Sequence, residues 1–87
     1  MDDRASPEEA ALGAELSRAI AAAVLKLPPE QRSVVVLVDF NQFNYDEAAD
    51  ALGISLGTVK SRLSRARGKV RQVLLEHPEL LPAGLRP

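Results

Sequence analysis

Apolar residues recur at spacings of three and four over two long stretches of the chain. The first stripe consists of Leu12, Leu16, Ile20, Ala23 and Leu27, and the second consists of Val59, Leu63, Ala66, Val70 and Val73 or Leu74. This spacing places each set on one face of an α-helix, with polar residues on the opposite face. We therefore predict one amphipathic helix over about residues 7–26 and another that ends near His77.

Residues that favour helix ends mark the start and the end of the first helix. Ser6 is a capping residue, Pro7 suits the first helical position, and Glu9 follows three residues after the cap. The Pro28-Pro29 pair ends this helix, because proline disfavours helical backbone in the residue before it. Pro29 also suits the first turn of the next helix.

The run Val34–Val38 is ambiguous on its own, because β-branched residues fit a buried strand as well as a buried helix. We predict a helix, since a proline precedes the run, no second strand is available for pairing, and the neighbouring segments are helical. Residues 41–44 are then a short loop, and Phe40 and Phe43 are expected to fill the core.

Local signals in the second half of the chain predict two helices joined by a tight turn. Asn44 can cap a third helix that has Glu47 in its first turn, and Gly53 can end that helix in the left-handed conformation. Ser55 can cap the fourth helix. The sequence therefore predicts an all-α, four-helix domain in which the last two helices form a helix-turn-helix over residues 44–68.

The length and composition of the chain exclude several classes of protein. With 87 residues it has the size of one small domain, which we assign to residues 7–77, followed by a flexible tail over residues 78–87. It has no cysteine and one histidine, so we expect no disulfide framework, no metal site and no cofactor. Its apolar runs are far shorter than the ~20 residues that cross a bilayer, so we expect a cytoplasmic protein without membrane contact.

Charges of opposite sign are separated along the chain. Residues 1–57 carry four basic and ten acidic side chains, whereas residues 58–71 carry six basic and no acidic ones. The six are Lys60, Arg62, Arg65, Arg67, Lys69 and Arg71. A basic run alone is often only a solvated helix face. On the second helix of a helix-turn-helix it favours nucleic-acid binding.

A recognition helix that starts at Ser55 would enter the major groove of DNA with its first turns. The side chains that can then reach base edges are those of Thr58, Lys60, Ser61, Ser64 and Arg65. Lysine and arginine can donate to guanine O6 and N7, and serines allow a close approach. The cations that lie farther round or along the helix are assigned to phosphates or to the surface, and they are Arg62, Arg67 and Lys69.

Four segments of the chain match a known pattern, namely Leu27–Arg32, Asn44–Ala49, Leu52–Ser55 and Gly57–Arg67. Together they resemble region 4 of the bacterial extracytoplasmic-function sigma factors of the sigma-70 family. The segment Gly57–Arg67 is the most specific of the four. The resemblance covers about residues 10–75.

The resemblance implies a C-terminal sigma domain that recognises the minus-35 promoter element and docks on the flap of the RNA polymerase β subunit. It implies that Tyr45 and Thr58 contact the DNA backbone, as the amides at the two helix starts, including the one at Ser55, can also do. It also implies control by an anti-sigma factor. We expect the apolar surface around Val34–Phe43 and on the long first helix to be a docking site for such a partner. Nothing in the chain resembles region 2 of such factors, so residues 1–6 are expected to be a linker remnant.

The chain departs from the family pattern at several positions. Val38 and Asp39 stand near the end of the second helix, where many relatives have a basic residue that meets a phosphate. Gln42 replaces a loop glycine, and Ala48 replaces an aliphatic residue. Lys60 stands where arginine is frequent, and lysine lacks the bidentate fork of arginine. We therefore expect differences in backbone contacts, loop shape and packing.

Other classes of function remain open at this point. The output domain of a response regulator or quorum-sensing activator shares the start Thr58-Val59-Lys60, although Ser61-Arg62-Leu63 and the long basic helix favour the sigma-factor resemblance. A protein-interaction module covered by an acidic partner is a third possibility. An enzyme is the least favoured class, because the chain has no cysteine, no glycine-rich phosphate loop and no carboxylate pair framed by apolar residues.

Overall fold

The computed structural model describes residues 7–81 and residue 84. The helices are α1 (Pro7–Leu25), α2 (Pro29–Val35), α3 (Tyr45–Leu52) and α4 (Leu56–Leu75), with a π-helical turn (Val36–Phe40) after α2 and a 3-10 turn (Pro78–Leu80) after α4. The described residues contain no strand. The predicted all-α, four-helix class is therefore confirmed.

The first helix is buried only towards its C-terminal end. Val24 and Leu27, the latter in the turn that follows α1, belong to the core, and Ile20 packs partly against it. Leu12 is 42% exposed, so the predicted apolar stripe is wrong for this residue. The predicted cap, Ser6, lies outside the described residues. The last turns of α1 are thus the part that anchors it to the domain.

The prediction of a helix for the valine run is confirmed, with a change of helix type inside it. Val34 and Val35 are almost completely buried and form part of the core. After these two residues the spacing between bonded residues increases from four to five. The amide of Asn41 donates to the carbonyl of Val36, five residues earlier, over 2.9 Å. This spacing is typical of a π turn, which often marks a functional region.

Phe40 does not fill the core, so this prediction is wrong. Val34 and Val35 already occupy the core beneath α2, and Phe40 reaches only the rim of a neighbouring cavity. Its side chain is 50% exposed. Phe43 is half-buried. An aromatic ring is therefore left partly in solvent at the end of the π turn.

The loop before α3 contains a strained residue. Gln42 has φ of 62° and is the one non-glycine residue with a positive φ in the described chain. It adopts the left-handed conformation that glycine takes most easily, which costs an ordinary side chain about 1 kcal/mol or more. The loop thus keeps a glycine-like backbone conformation at a position where the chain has glutamine.

The ends of α3 form as predicted. The side chain of Asn44 accepts a hydrogen bond from the amide of Glu47, and the amide of Asn44 donates to the carboxylate of Glu47, both over 2.8 Å. This reciprocal pair is a capping box. At the other end Gly53 takes the left-handed conformation with φ of 67°. The short helix is therefore held at both ends by local chemistry.

The core lies where the last helix meets the others. α4 packs against α1, α2 and α3, and it buries Val59, Leu63 and Ala66 completely or nearly so. Ala48 of α3 is also fully buried. The small side chain leaves the backbones of α3 and α4 free to approach closely. Residues from every helix thus hold α4 in place.

The end of α4 differs slightly from the prediction. The helix stops at Leu75 rather than near His77, and the 3-10 turn that follows packs against α1 and α4. Residues 1–6, assigned to a linker remnant, lie outside the described residues. The same holds for residues 82–83 and 85–87 of the expected flexible tail.

The two long helices, α1 with 19 residues and α4 with 20 residues, are both amphipathic. Among the described residues, no helix combines the length and the apolar character that a membrane span requires. Nor do the described His, Asp and Glu side chains form any group of three or more that could hold a metal ion.

Replacing Gln42 by glycine is expected to stabilise the domain by about 0.5–1 kcal/mol. Glycine removes the strain of the left-handed conformation, and this gain exceeds the entropy that glycine adds to the unfolded chain. Urea unfolding followed by circular dichroism measures the change. The matched control is Gln72→Gly, on the exposed surface of α4, which is expected to destabilise by about 0.5–1 kcal/mol. A loss of stability in both variants would contradict the strain at Gln42.

Candidate nucleic-acid interface

The predicted helix-turn-helix is present, and hydrogen bonds and packing fix its angle. The amide of Ile54 donates to the carbonyl of Ala49 over 3.1 Å across the turn at Gly53. Leu52 and Ile54, on either side of the turn, pack against the core. α4 therefore leaves the turn in a direction that the core determines.

The orientation of α4 follows from its buried stripe. Val59, Leu63 and Ala66 point into the core. Successive residues of an α-helix are about 100° apart around its axis, so the six cations of residues 58–71 all fall outside this stripe. Five of them are exposed, and Arg62 is partly buried. The charge segregation along the sequence thus becomes a basic surface on one helix.

The predicted base-contacting side chains lie on the exposed surface of the first three turns. Lys60, Ser64 and Arg65 are exposed, and none of their side chains has a bond to a described residue. Ser61 is exposed too, and its hydroxyl donates to the carbonyl of Thr58 over 3.2 Å. Arg65 lies about 140° around the helix axis from Lys60. The structure therefore does not bring these two cations together.

The hydroxyls at the start of α4 have a structural role. The Ser55 Oγ accepts a hydrogen bond from the Thr58 amide over 3.1 Å, so the predicted cap is confirmed. The two side-chain oxygens are also 2.8 Å apart. Any contact of the Ser55 or Thr58 hydroxyl with DNA must therefore be made by an oxygen that already orders the helix start.

A basic cleft lies along one side of α4, next to the start of α3. Its volume is about 390 Å³. It is lined by Tyr45, Lys60, Leu63, Ser64, Arg67, Gly68 and Arg71, and we call it the cationic cleft. None of these lining residues is acidic. The cleft therefore places three cations and two hydroxyls around a space that suits one negatively charged group.

Arg71 has no predicted contact of its own, although its spacing from other residues of α4 indicates one. Positions 60, 64, 67 and 71 are three or four residues apart, so they share one face of the helix. The structure shows that this face borders Tyr45 of α3. Arg71 therefore joins Lys60 and Ser64 as a candidate contact.

Arg67 is held by an acidic side chain of the π turn. Its Nε donates to Oδ2 of Asp39 over 3.1 Å, and its Nη2 donates to Oδ1 over 2.6 Å. These hydrogen bonds raise the pKa of Arg67 above its ordinary value, and Tyr45 contributes in the same direction. The predicted phosphate contact of Arg67 must therefore compete with a carboxylate already in place.

The fold and this surface define the class of the domain, a helix-turn-helix whose second helix is basic, as in nucleic-acid-binding proteins. Comparison with known families is more specific. Residues 17–70, more than half of the chain, match the family described as sigma-70, region 4. The chain belongs to this region 4 family, and the resemblance of its sequence motifs is confirmed.

Curated relatives named as sigma factors match most of the chain. The ECF RNA polymerase sigma factor SigE of Mycolicibacterium smegmatis is 40% identical over 72 residues, which are 83% of this chain and 28% of that protein. The RNA polymerase sigma-E factor of Streptomyces coelicolor is 48% identical over 71 residues, 80% of this chain and 40% of that protein. The ECF RNA polymerase sigma factor SigW of Bacillus subtilis is 39% identical over 72 residues, 83% of this chain and 38% of that protein.

The chain thus spans less than half the length of each of these three relatives. All three are named as RNA polymerase sigma factors. The alternative class, the output domain of a response regulator or quorum-sensing activator, is therefore not supported.

Replacing Ser55 by alanine is expected to lower the free energy of unfolding by about 1 kcal/mol, because the first turn of α4 loses its cap. Ser64→Ala is the matched control and is expected to change stability by less than about 0.5 kcal/mol, since this exposed hydroxyl has no described partner. Thermal unfolding by circular dichroism compares the two. Equal stability of both variants would contradict the capping role of Ser55.

Proposed function

We propose that the domain recognises the minus-35 element of promoters and, as the C-terminal part of an extracytoplasmic-function sigma factor, directs RNA polymerase to stress-response promoters. The outward surface of α4 supports this most directly. Lys60, Ser64 and Arg65 are exposed on its first three turns without a described partner, while Val59 and Leu63 anchor the opposite face. Such a helix can enter the major groove without any rearrangement of the core.

Base recognition and backbone contact fall to different side chains in this proposal. Arg65 and Lys60 donate to guanine O6 and N7, and Ser61 and Ser64 bond to neighbouring base edges. Phosphates are bound by the residues that flank this group, namely Tyr45, Ser55, Thr58, Arg62 and Lys69. The phosphate contacts fix the register of the helix on DNA, and the base contacts select the sequence.

We assign protein partners to an apolar surface that borders the cationic cleft at Arg67 and Arg71. Val34 and Val35 are buried, so the expected docking region is accessible only from Val36 onwards, and Phe40 is its most exposed apolar residue. A cavity of about 230 Å³ opens beside Phe40, and its aliphatic lining comprises Ile20, Val24, Val35, Val70 and Leu74. We assign this surface to RNA polymerase, whose β-subunit flap is the expected partner, or to an anti-sigma factor that competes with it.

The chain spans only 28–40% of the three relatives described, and we propose that another part of the complete factor melts promoter DNA. We propose that it acts in the cytoplasm, where promoter DNA and RNA polymerase meet. The domain acts by binding alone, so it uses neither a cofactor nor a catalytic residue.

The affinity of the isolated domain is expected to be modest. One helix-turn-helix buries about 600–1,000 Å² on DNA, and each good base contact contributes about 1–3 kcal/mol. A second DNA-binding domain of the complete factor would raise the effective concentration, and the isolated domain lacks this contribution. We expect a Kd of about 1 μM or weaker at physiological salt.

Selection from a pool of duplexes with a randomised site tests the proposed function. The domain is mixed with the pool at low salt, and the bound fraction is recovered and sequenced over several rounds. Enrichment of one short asymmetric motif is expected, because a single monomeric helix-turn-helix reads one half-site. Retention of DNA without any enriched sequence would contradict promoter recognition.

Replacing Arg65 by alanine is expected to relax sequence preference and to weaken binding to the enriched motif by about tenfold or more, because a bidentate base contact is lost. The matched control is Lys69→Ala, which is expected to weaken all duplexes alike and to lower the salt slope by about 0.9. Fluorescence anisotropy against the enriched motif and a scrambled duplex separates the two effects. Equal losses on both duplexes for Arg65→Ala would contradict its assignment to bases.

A further inference from the structure

The pairing of Arg67 with Asp39 resembles the way in which arginine binds a phosphate. Two N–H donors of one guanidinium meet two oxygens of one anion, at 2.6 Å and 3.1 Å. Arginine uses the same fork on phosphate and on carboxylate groups. Asp39 therefore already occupies the edge formed by Nε and Nη2, one of the edges with which the Arg67 guanidinium can bind a phosphate.

The pairing affects one cation of the cationic cleft and leaves the others available. Lys60 and Arg71 line the same cleft and have no partner among the described residues. The side chains of Arg67 and Asp39 are 51% and 31% exposed, so the pair is open to solvent, and Arg67 also lines the cationic cleft. The local net charge of the pair is zero, whereas Lys60 and Arg71 keep their charges.

The position of Asp39 depends on the fold rather than on the local sequence. Asp39 and Arg67 are 28 residues apart in the chain. The π turn that carries Asp39 follows α2, and α2 packs against α4. The core thus holds the carboxylate beside the middle of α4 before any DNA is bound.

We propose that Asp39 is an internal counterion that keeps Arg67 from binding the DNA backbone, and that it thereby lowers the sequence-independent affinity of the domain. This inference rests on the proposed function. A phosphate that replaces Asp39 on Arg67 exchanges one anion for another, so the contact adds little to binding. Base-contacting side chains such as Arg65 then account for a larger share of the affinity for the promoter.

The first test is Asp39→Asn, which removes the charge and keeps the size of the side chain. Without the Asp39 charge, Arg67 is expected to bind a phosphate and to tighten DNA binding about 3- to 10-fold on both the enriched motif and a scrambled duplex. The slope of log affinity against log salt concentration is expected to steepen by up to about 0.9. Anisotropy titrations at four salt concentrations give both quantities. Asp39→Glu, which keeps the charge, is expected to stay close to the unmodified domain.

The second test combines Asp39→Asn with Arg67→Gln and removes both charges. If Asp39 masks Arg67, this double variant keeps the affinity of the unmodified domain within about twofold and keeps its salt slope. If Asp39 instead positions Arg67 for a phosphate contact, the double variant loses that contact and its slope falls by about 0.9. The second result would overturn the proposal.

Asp46→Asn is the matched control for a general charge effect. It removes one negative charge from the exposed start of α3, and Asp46 itself makes no described bond to Arg67. Equal tightening by Asp46→Asn and Asp39→Asn would overturn the proposal, as would weaker binding or an unchanged slope for Asp39→Asn.

The outcomes separate this proposal from the proposed function. Binding by the unmodified domain with no gain for Asp39→Asn refutes the counterion alone. Absence of DNA binding by both proteins at low salt refutes the proposed function together with the counterion. Circular dichroism spectra of all variants check that each one keeps its helices.

Discussion

The burial of one apolar stripe of α4 holds the domain together and also directs its basic surface. Val59, Leu63 and Ala66 bind α4 to the helices around it. In a domain of 87 residues one such core supplies most of the stability, which leaves few alternative packings. Since the six clustered cations lie on the same helix, the stripe that anchors α4 also determines which way they face.

The cations of this surface differ in whether an acidic side chain neutralises them. Most of the clustered cations are left to solvent, whereas Arg67 is paired with Asp39. The partner comes from the π turn, a segment whose hydrogen bonding already departs from the regular helix. The loop after it contains the strained residue Gln42. Irregular backbone is therefore concentrated between α2 and the helix-turn-helix. It places the carboxylate of Asp39 beside Arg67 and directs the chain into α3.

Much of the fold could be predicted from the sequence, because its signals are local. Asn44, Gly53 and Ser55 act at helix ends through bonds that span three or four residues, and each behaves as predicted. The exposure of Lys60 and Arg65 likewise follows from the helical period. These features need no knowledge of the rest of the chain.

The features that sequence analysis missed depend on distant parts of the chain. The pair of Asp39 and Arg67 joins residues 28 positions apart, and no local pattern marks it. The exposure of Phe40 depends on how other side chains fill the core beneath α2, and the π turn interrupts the helical period on which the analysis relied. Arg71 is an exception, because its spacing from Lys60 and Ser64 was visible in the sequence.

An NMR titration of the ¹⁵N-labelled domain with a duplex that carries the enriched motif shows which helix meets DNA. If α4 reads DNA, the largest amide shifts fall at residues 44–46 and 55–65, the starts of the two helices of the helix-turn-helix. The amides of α1 are predicted to change little. Shifts confined to α1 and to the π turn at Phe40, with α4 unchanged, would contradict the claim that α4 reads DNA.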